Sequence, residues 1–165
     1  LLSALASGSA RAQCCAAQVL SLAADSCPTV AVTIRRSIGM PQLLESAQRM
    51  GGKREPVLVL LRSLAERDEG CREELRRPSE VSKLVSMLGT PQRFSNDSSI
   101  PLLACLLQDH GPSCEAARES GVIQMLLKFL RTPTTQRDMC TMYPMAADTH
   151  HHWTLQALST LLRLD

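Results

Sequence analysis

Aromatic residues are nearly absent from this sequence. They make up 2% of its 165 residues, and the full set is Phe94, Phe129, Tyr143 and Trp153. β-Sandwiches and β-barrels draw on aromatic and β-branched side chains, so the shortage argues against both. The hydrophobic fraction is nevertheless 44%, with 26 leucines. A core built from aliphatic side chains indicates packed helices, and the composition therefore predicts an all-α fold.

Three other absences narrow the possible functions. No apolar run approaches the ~20 residues that a helix needs to cross a membrane, so we expect no membrane span. The net charge of +2 gives no reason to expect a nucleic-acid-binding protein. The seven cysteines are irregularly spaced and include no Cys-x-x-Cys pair, which favours free thiols in a reducing compartment. We therefore expect a cytoplasmic location, with the nucleus as the alternative.

The sequence also lacks a recognisable catalytic or metal-binding pattern. The histidine run at 150–152 lies near Cys140 and Asp148. Consecutive side chains on a helix diverge by about 100°, so three in a row do not converge on one ion. Gly51-Gly52-Lys53 lacks the remaining residues of a phosphate-binding loop. We expect neither an enzyme active site nor a metal or cofactor in this chain.

An internal repeat organises the chain. Three segments align at intervals of 41 and 42 residues. The aligned positions hold Arg35, Arg76 and Arg118, then Met40, Val81 and Ile123, and then Leu43, Leu84 and Leu126. A period of this length is typical of helical repeat proteins, whose units stack on one another.

Leucines in a second class of apolar segment recur with a similar period. Leu22, Leu64 and Leu106 follow one another at 42 residues, and Leu161 comes 55 residues after Leu106. We assign the extra residues to a long loop between repeats, at 134–149, because insertions in repeat proteins go to loops. We expect these four leucines to be buried at equivalent places on successive long helices.

Each unit is predicted to hold three helices. A short polar helix, such as 111–119, is followed by a medium helix, such as 122–130, and then by a long apolar helix. The predicted long helices are 13–24, 55–66, 100–110 and 152–164. We predict a single domain over 1–165, with repeat boundaries near 8–50, 51–91, 92–133 and 134–165. The chain starts inside a repeat, so we expect a segment of a longer protein whose ends leave apolar faces uncovered.

These segments resemble armadillo repeats. Residues 119–130, Glu-Ser-Gly-Val-Ile-Gln-Met-Leu-Leu-Lys-Phe-Leu, resemble the second-helix signature of that family. Leu-Arg-Ser-Leu-Ala at 61–65 and Leu-Ser-Thr-Leu-Leu at 158–162 resemble its third-helix signature. The resemblance covers nearly the whole chain, as about three and a half units. It implies a right-handed superhelix, an armadillo-type solenoid, whose third helices line a concave groove. HEAT repeats, two-helix units of similar length, remain the alternative.

The resemblance also implies where a partner binds. In importin alpha and beta-catenin, an Asn on each third helix grips a peptide, and the equivalent positions here are Ser21, Ser63, Cys105 and Thr160. Because none is Asn, we expect apolar packing against an amphipathic helix or an extended segment rather than the basic-peptide mode of importin alpha. The predicted partner-binding residues are Ser21, Arg62, Ser63, Cys105, Gln156, Thr160 and Trp153.

The function that follows is a non-enzymatic interaction module of a cytosolic scaffold or adaptor protein, which binds a protein or peptide partner. A helical regulatory region of a multidomain enzyme, such as a kinase or an exchange factor, is the alternative. In that case the active site lies outside this segment.

Overall fold

The computed structural model describes residues 1–88, 98–131 and 146–163 of the chain. These residues form helices and no strand, which confirms the all-α prediction. The helices are α1 (Leu2–Ser7), α2 (Ala10–Ser26), α3 (Pro28–Ser37), α4 (Met40–Met50), α5 (Glu55–Arg67), α6 (Glu69–Leu75), α7 (Pro78–Leu88), α8 (Ser99–Leu107), α9 (Gly111–Glu119), α10 (Val122–Arg131) and α11 (Ala146–Leu162). A 3₁₀ turn, Gly51–Lys53, lies between α4 and α5.

The helices recur in the order short, medium, long and pack in rows. The long helices α2, α5, α8 and α11 lie side by side in chain order. Helices α1, α4 and α7 form a second row, and the short helices α3 and α6 contact each other. Helix α9 packs on α7, α8 and α10, and α10 packs on α11. Each unit therefore buries its apolar surface against the units beside it, as stacked repeats do.

Two predicted helices agree closely with the structure. The short helix predicted at 111–119 is Gly111–Glu119, and the medium helix predicted at 122–130 is Val122–Arg131. Helix α11 begins at Ala146 rather than at 152, so the last four residues of the loop predicted at 134–149 are helical. The rest of that loop lies outside the described residues.

Helix α8 ends at Leu107, three residues before the predicted end at 110. Asp109 adopts a left-handed backbone with φ 53°, which an α-helix cannot include. The next residue, His110, is the N-cap of α9, and its Nδ1 accepts a hydrogen bond from the Ser113 amide at 3.2 Å. Two helix boundaries therefore fall in a stretch that the apolar pattern assigned to one helix.

Aliphatic side chains form a single core that runs along the rows of helices. Phe129 is buried in it, and Trp153 packs partly against it. Leu64, Leu106 and Leu161 are at most 1% exposed, as predicted. Leu22 is 70% exposed, so the prediction that it is buried was wrong.

A one-residue difference in register explains the exposure of Leu22. Helix α2 ends at Ser26 and α5 ends at Arg67, which is 41 residues later rather than 42. Leu22 therefore occupies the position that Ser63 has in α5. Ser63 lies against α2, where its hydroxyl donates to Asp25 Oδ1 at 2.8 Å. Because no long helix precedes α2 in the described part of the chain, the corresponding side of α2 faces solvent.

The repeated arginine at Arg76 joins one unit to the next. Its Nε donates to the carbonyl of Leu106 at 3.1 Å, and its Nη2 donates to the carbonyl of Gln108 at 2.8 Å. Its side chain is 10% exposed. The last carbonyls of a helix have no intrahelical donor and attract positive charge. Arg76, at the end of α6, thus satisfies the end of α8.

The other two repeated arginines make similar connections. The guanidinium of Arg118, on α9, donates from Nε to the carbonyl of Leu161 near the end of α11, at 3.0 Å. Arg35, on α3, forms an ion pair with Asp68 at 3.0 Å, at the junction of α5 and α6. All three arginines therefore reach from a short helix to the end of the next long helix. This accounts for their recurrence in the sequence.

Candidate functional site

The structure places the predicted binding residues on the long helices, with unequal exposure. Ser21 and Ser63 are 7% and 8% exposed, and the Ser63 hydroxyl is engaged by Asp25. Cys105, Gln156 and Thr160 are half-buried, and each lines a pocket. The paired pockets therefore bring together the residues of α8 and α11, and they leave Ser21 and Ser63 outside.

Arg62 and Trp153 are brought into contact although they belong to different units. The Cζ atom of Arg62 lies 4.9 Å from the centroid of the Trp153 ring, within the range of a cation–π contact. Its Nε also donates to Glu66 Oε1 at 2.7 Å. Because Arg62 lies on α5 and Trp153 on α11, the contact bridges two long helices that are not neighbours in the row.

A first pocket opens beside Cys105 and has a volume of about 430 Å³. It is lined by Glu66, Arg72, Arg76, Cys105, Gln108 and Asp109. Arg72 Nε donates to the carbonyl of Ala65 at 2.9 Å, and its Nη1 pairs with Glu69 at 2.9 Å. Both arginines of this Cys105 pocket are thus engaged by carbonyls and carboxylates of the protein, and they form a fixed wall.

A second pocket, of about 280 Å³, lies next to the first. Its lining consists of Leu107, Gln108, Asp109, His110, Cys114, Gln156, Ser159, Thr160 and Arg163. The Thr160 hydroxyl donates to the carbonyl of Gln156 in its own helix at 2.9 Å. We call this cavity the Thr160 pocket, and the two cavities together the paired pockets.

Gln108 and Asp109 form a ridge that lines both pockets. Both side chains are exposed. The Asp109 carboxylate makes no hydrogen bond or ion pair with another residue of the described ranges, although it lies in a turn whose backbone is fixed by Arg76 through the Gln108 carbonyl. The ridge therefore presents a negative charge on an immobile support.

Sequence reasoning missed this ridge. The prediction carried α8 through to 110, which placed Gln108 and Asp109 inside a helix. One signal was present. Polar Gln-Asp-His precedes Gly111-Pro112, and a Pro in the first turn marks a helix start. The length of the connection before that start, two residues longer than the single Asp68 between α5 and α6, was not evident from the pattern.

The described residues contain no cluster that resembles a metal centre. No group of three His, Cys, Asp or Glu side chains among them could hold an ion. Cys140 and the side chains of Asp148, His150 and His151 lie outside the described residues. No helix within the described ranges is long and apolar enough to cross a membrane.

The cysteine thiols differ in their readiness to ionise. The side-chain hydrogen bond with Thr29, at 3.0 Å, lowers the pKa of the exposed Cys27 thiol. Burial raises the pKa of Cys71 to about 12, and burial also raises the pKa of Cys105 and of Cys114. The thiolate is the nucleophile, so Cys105 in the first pocket is a poor candidate for covalent chemistry.

These environments predict an order of alkylation. With limiting iodoacetamide at about pH 8, Cys27 should be modified before Cys71, Cys105 and Cys114, as measured by peptide mapping with mass spectrometry. In guanidinium chloride that unfolds the chain, the four rates should become similar because burial and the Thr29 hydrogen bond are lost. Early modification of Cys71 in the native chain would contradict its buried placement.

Comparisons with known proteins support the fold only. Neither a protein-family model nor a curated protein matches the sequence. Among solved structures, the chain is similar to the crystal structure of an engineered protein from the Northeast Structural Genomics Consortium, with a TM-score of 0.75 and 16% identity. The match covers 97% of this chain and 60% of the engineered one, so the chain spans less than two thirds of that protein.

Proposed function

We propose that this chain is a non-enzymatic protein-interaction module of the armadillo type, which binds a segment of a partner protein across the paired pockets. The right-handed superhelix of that family is part of the proposal. The recurring rows of short, medium and long helices support it. So do Gly39 and Gly121, with φ of 82° and 76° directly before α4 and before the turn into α10, where the family signature has a Gly. The middle unit departs from this, because Ser79 lies inside α7.

The observation that carries the proposed site is the shared ridge between two adjacent pockets. A partner segment that crosses Gln108 and Asp109 can place one side chain in the Cys105 pocket and another in the Thr160 pocket. The unpaired Asp109 carboxylate would then accept a hydrogen bond from a Lys, an Arg or a backbone amide of the partner. Charge-assisted hydrogen bonds of this kind are the stronger ones, and they favour a partner segment with a basic residue at its centre.

The chemistry of the lining favours recognition over catalysis. The Cys105 thiol is held in its protonated form by burial, and the arginines of the same pocket are engaged by helix carbonyls. The lining thus offers shape, hydrogen-bonding groups and one free carboxylate. It does not offer a nucleophile beside a base, which acyl- or group-transfer chemistry needs.

A peptide-display experiment tests the proposed site. Peptides selected from a phage-displayed random library on the immobilised chain are labelled, and their affinities are measured by fluorescence anisotropy. Gln108→Trp, which obstructs both pockets from an exposed position, should weaken binding by at least about tenfold. Asp109→Asn, which tolerates the left-handed backbone, should weaken binding of peptides with a central basic residue and reduce the salt dependence of that binding.

The matched control is Gln48→Trp, an equal substitution at an exposed position on α4, away from the pockets. It should leave the affinities unchanged. The proposal fails if no peptide is enriched on the native chain. It also fails if enriched peptides bind the Gln108 and Asp109 variants as well as they bind the unmodified chain.

A further inference from the structure

Exposed large apolar side chains collect at the two ends of the helix rows. In the part of the chain that the structure describes, they are Leu1, Val19 and Leu22 at one end, Leu127, Leu155 and Leu162 at the other, and Val59 between them. Scattered apolar side chains on a surface are ordinary, whereas grouped ones mark an interaction site.

At the second end, the exposed leucines stand at positions that are buried in the preceding unit. Leu155 occupies in α11 the position of Ile100 in α8, at the 55-residue spacing, and the two are 56% and 2% exposed. Leu162 corresponds in the same way to Leu107, and these two are 67% and 0% exposed. Helix α8 has a following long helix, α11, packed on it, whereas α11 has none among the described residues.

The medium helix of the last unit shows the same contrast. Leu127 of α10 corresponds to Val85 of α7 at the 42-residue spacing, and the two are 39% and 1% exposed. Leu127, Leu155 and Leu162 therefore belong to one surface, which we call the front face. Its side chains are the ones that a following unit would cover.

At the first end, the relation is reversed. Val19 and Leu22 of α2 correspond to Leu60 and Ser63 of α5 at the 41-residue spacing. The α2 residues are 49% and 70% exposed, and their α5 counterparts are 0% and 8% exposed. Helix α5 has a preceding long helix, α2, packed against it. Val19 and Leu22 form what we call the rear face, which a preceding unit would cover.

We propose that two copies of this chain associate head to tail, with the front face of one copy packed on the rear face of the other. The contact continues an interface that the chain already forms three times, between α2 and α5, α5 and α8, and α8 and α11. In each of these, the front of one long helix meets the rear of the next. The two end faces thus match each other in register, whereas neither matches itself. A contact of this heterologous kind stays open at both ends and allows chains longer than two copies.

Sedimentation velocity with two blocked variants tests the proposal. The unmodified chain should gain weight-average mass with concentration, past that of a dimer. Leu22→Glu blocks the rear face and Leu155→Glu blocks the front face. Each should raise the dissociation constant by at least about tenfold, because the contact would desolvate a carboxylate. Each variant alone should therefore stay monomeric. An equimolar mixture should form a one-to-one dimer and nothing larger, because it retains one intact front face and one intact rear face.

Val59→Glu is the matched control, because Val59 is 39% exposed on α5, away from both ends. It should associate like the unmodified chain. Circular dichroism and thermal melting should show that all variants fold alike, since the substituted side chains are exposed. Three results would overturn the proposal: an unmodified chain that stays monomeric, which points to further repeats as the natural cover; a blocked variant that still dimerises; or a mixture that stays monomeric.

Discussion

Leu64→Ala is expected to lower the free energy of unfolding by about 2–5 kcal/mol, the range for removing a fully buried leucine side chain. Leu64 is 0% exposed in the centre of α5. The same change at Leu22, which is 70% exposed, is expected to change the free energy by less than about 0.5 kcal/mol. Urea denaturation followed by circular dichroism measures both values.

The comparison is informative because a 42-residue alignment makes the two leucines equivalent. Only the 41-residue spacing between the ends of α2 and α5 separates them. The measurement belongs at low protein concentration, where association through the rear face contributes nothing to the stability of the chain. Equal losses at the two positions would show that Leu22 is buried, against the structure.

Arg76→Met is expected to lower the free energy of unfolding by about 2–3 kcal/mol. Methionine keeps much of the aliphatic stem, but it leaves the carbonyls of Leu106 and Gln108 without the guanidinium donors. The ion pairs of Arg76 with Glu69 and Glu73 contribute little, because both carboxylates are more than half exposed. Most of the loss therefore comes from the end of α8.

Arg36→Met provides the control for this prediction. Arg36 is exposed on α3, next to the repeated Arg35, and it has no hydrogen bond or ion pair with a residue of the described ranges. Its replacement should change stability by less than about 0.5 kcal/mol. Amide hydrogen exchange should show faster opening at the end of α8 in the Arg76 variant. A loss equal to that of the control would mean that water replaces the guanidinium at no cost.

The recurring arginines show how far the pattern reaches and where it stops. Their equal spacing was evident in the sequence, but their partners were not, because each carbonyl or carboxylate lies at the end of the next long helix. Arg76 and Leu106 are 30 residues apart in the chain. A self-alignment compares a unit with its copies, and it carries no information on which atoms meet across the boundary between them.

The candidate site was predictable in part for a similar reason. Cys105, Gln156 and Thr160 followed from the third-helix signature, and they line the paired pockets. Asp109 did not follow, because its exposure depends on a left-handed turn that ends α8 early. The contact of Arg62 with Trp153 also required the rows of helices, since it spans two units.

By itself, the sequence determined that this chain is helical and built from units of 41 and 42 residues. Apolar spacing is a local property of each helix, and a scarcity of aromatic side chains leaves leucine as the means of packing. The tertiary structure decided which of those leucines are covered. Leu22, Leu155 and Leu162 carry the same local pattern as the buried leucines, yet they face solvent. Burial depends on the helix that packs alongside, and at the ends of the rows no described helix does.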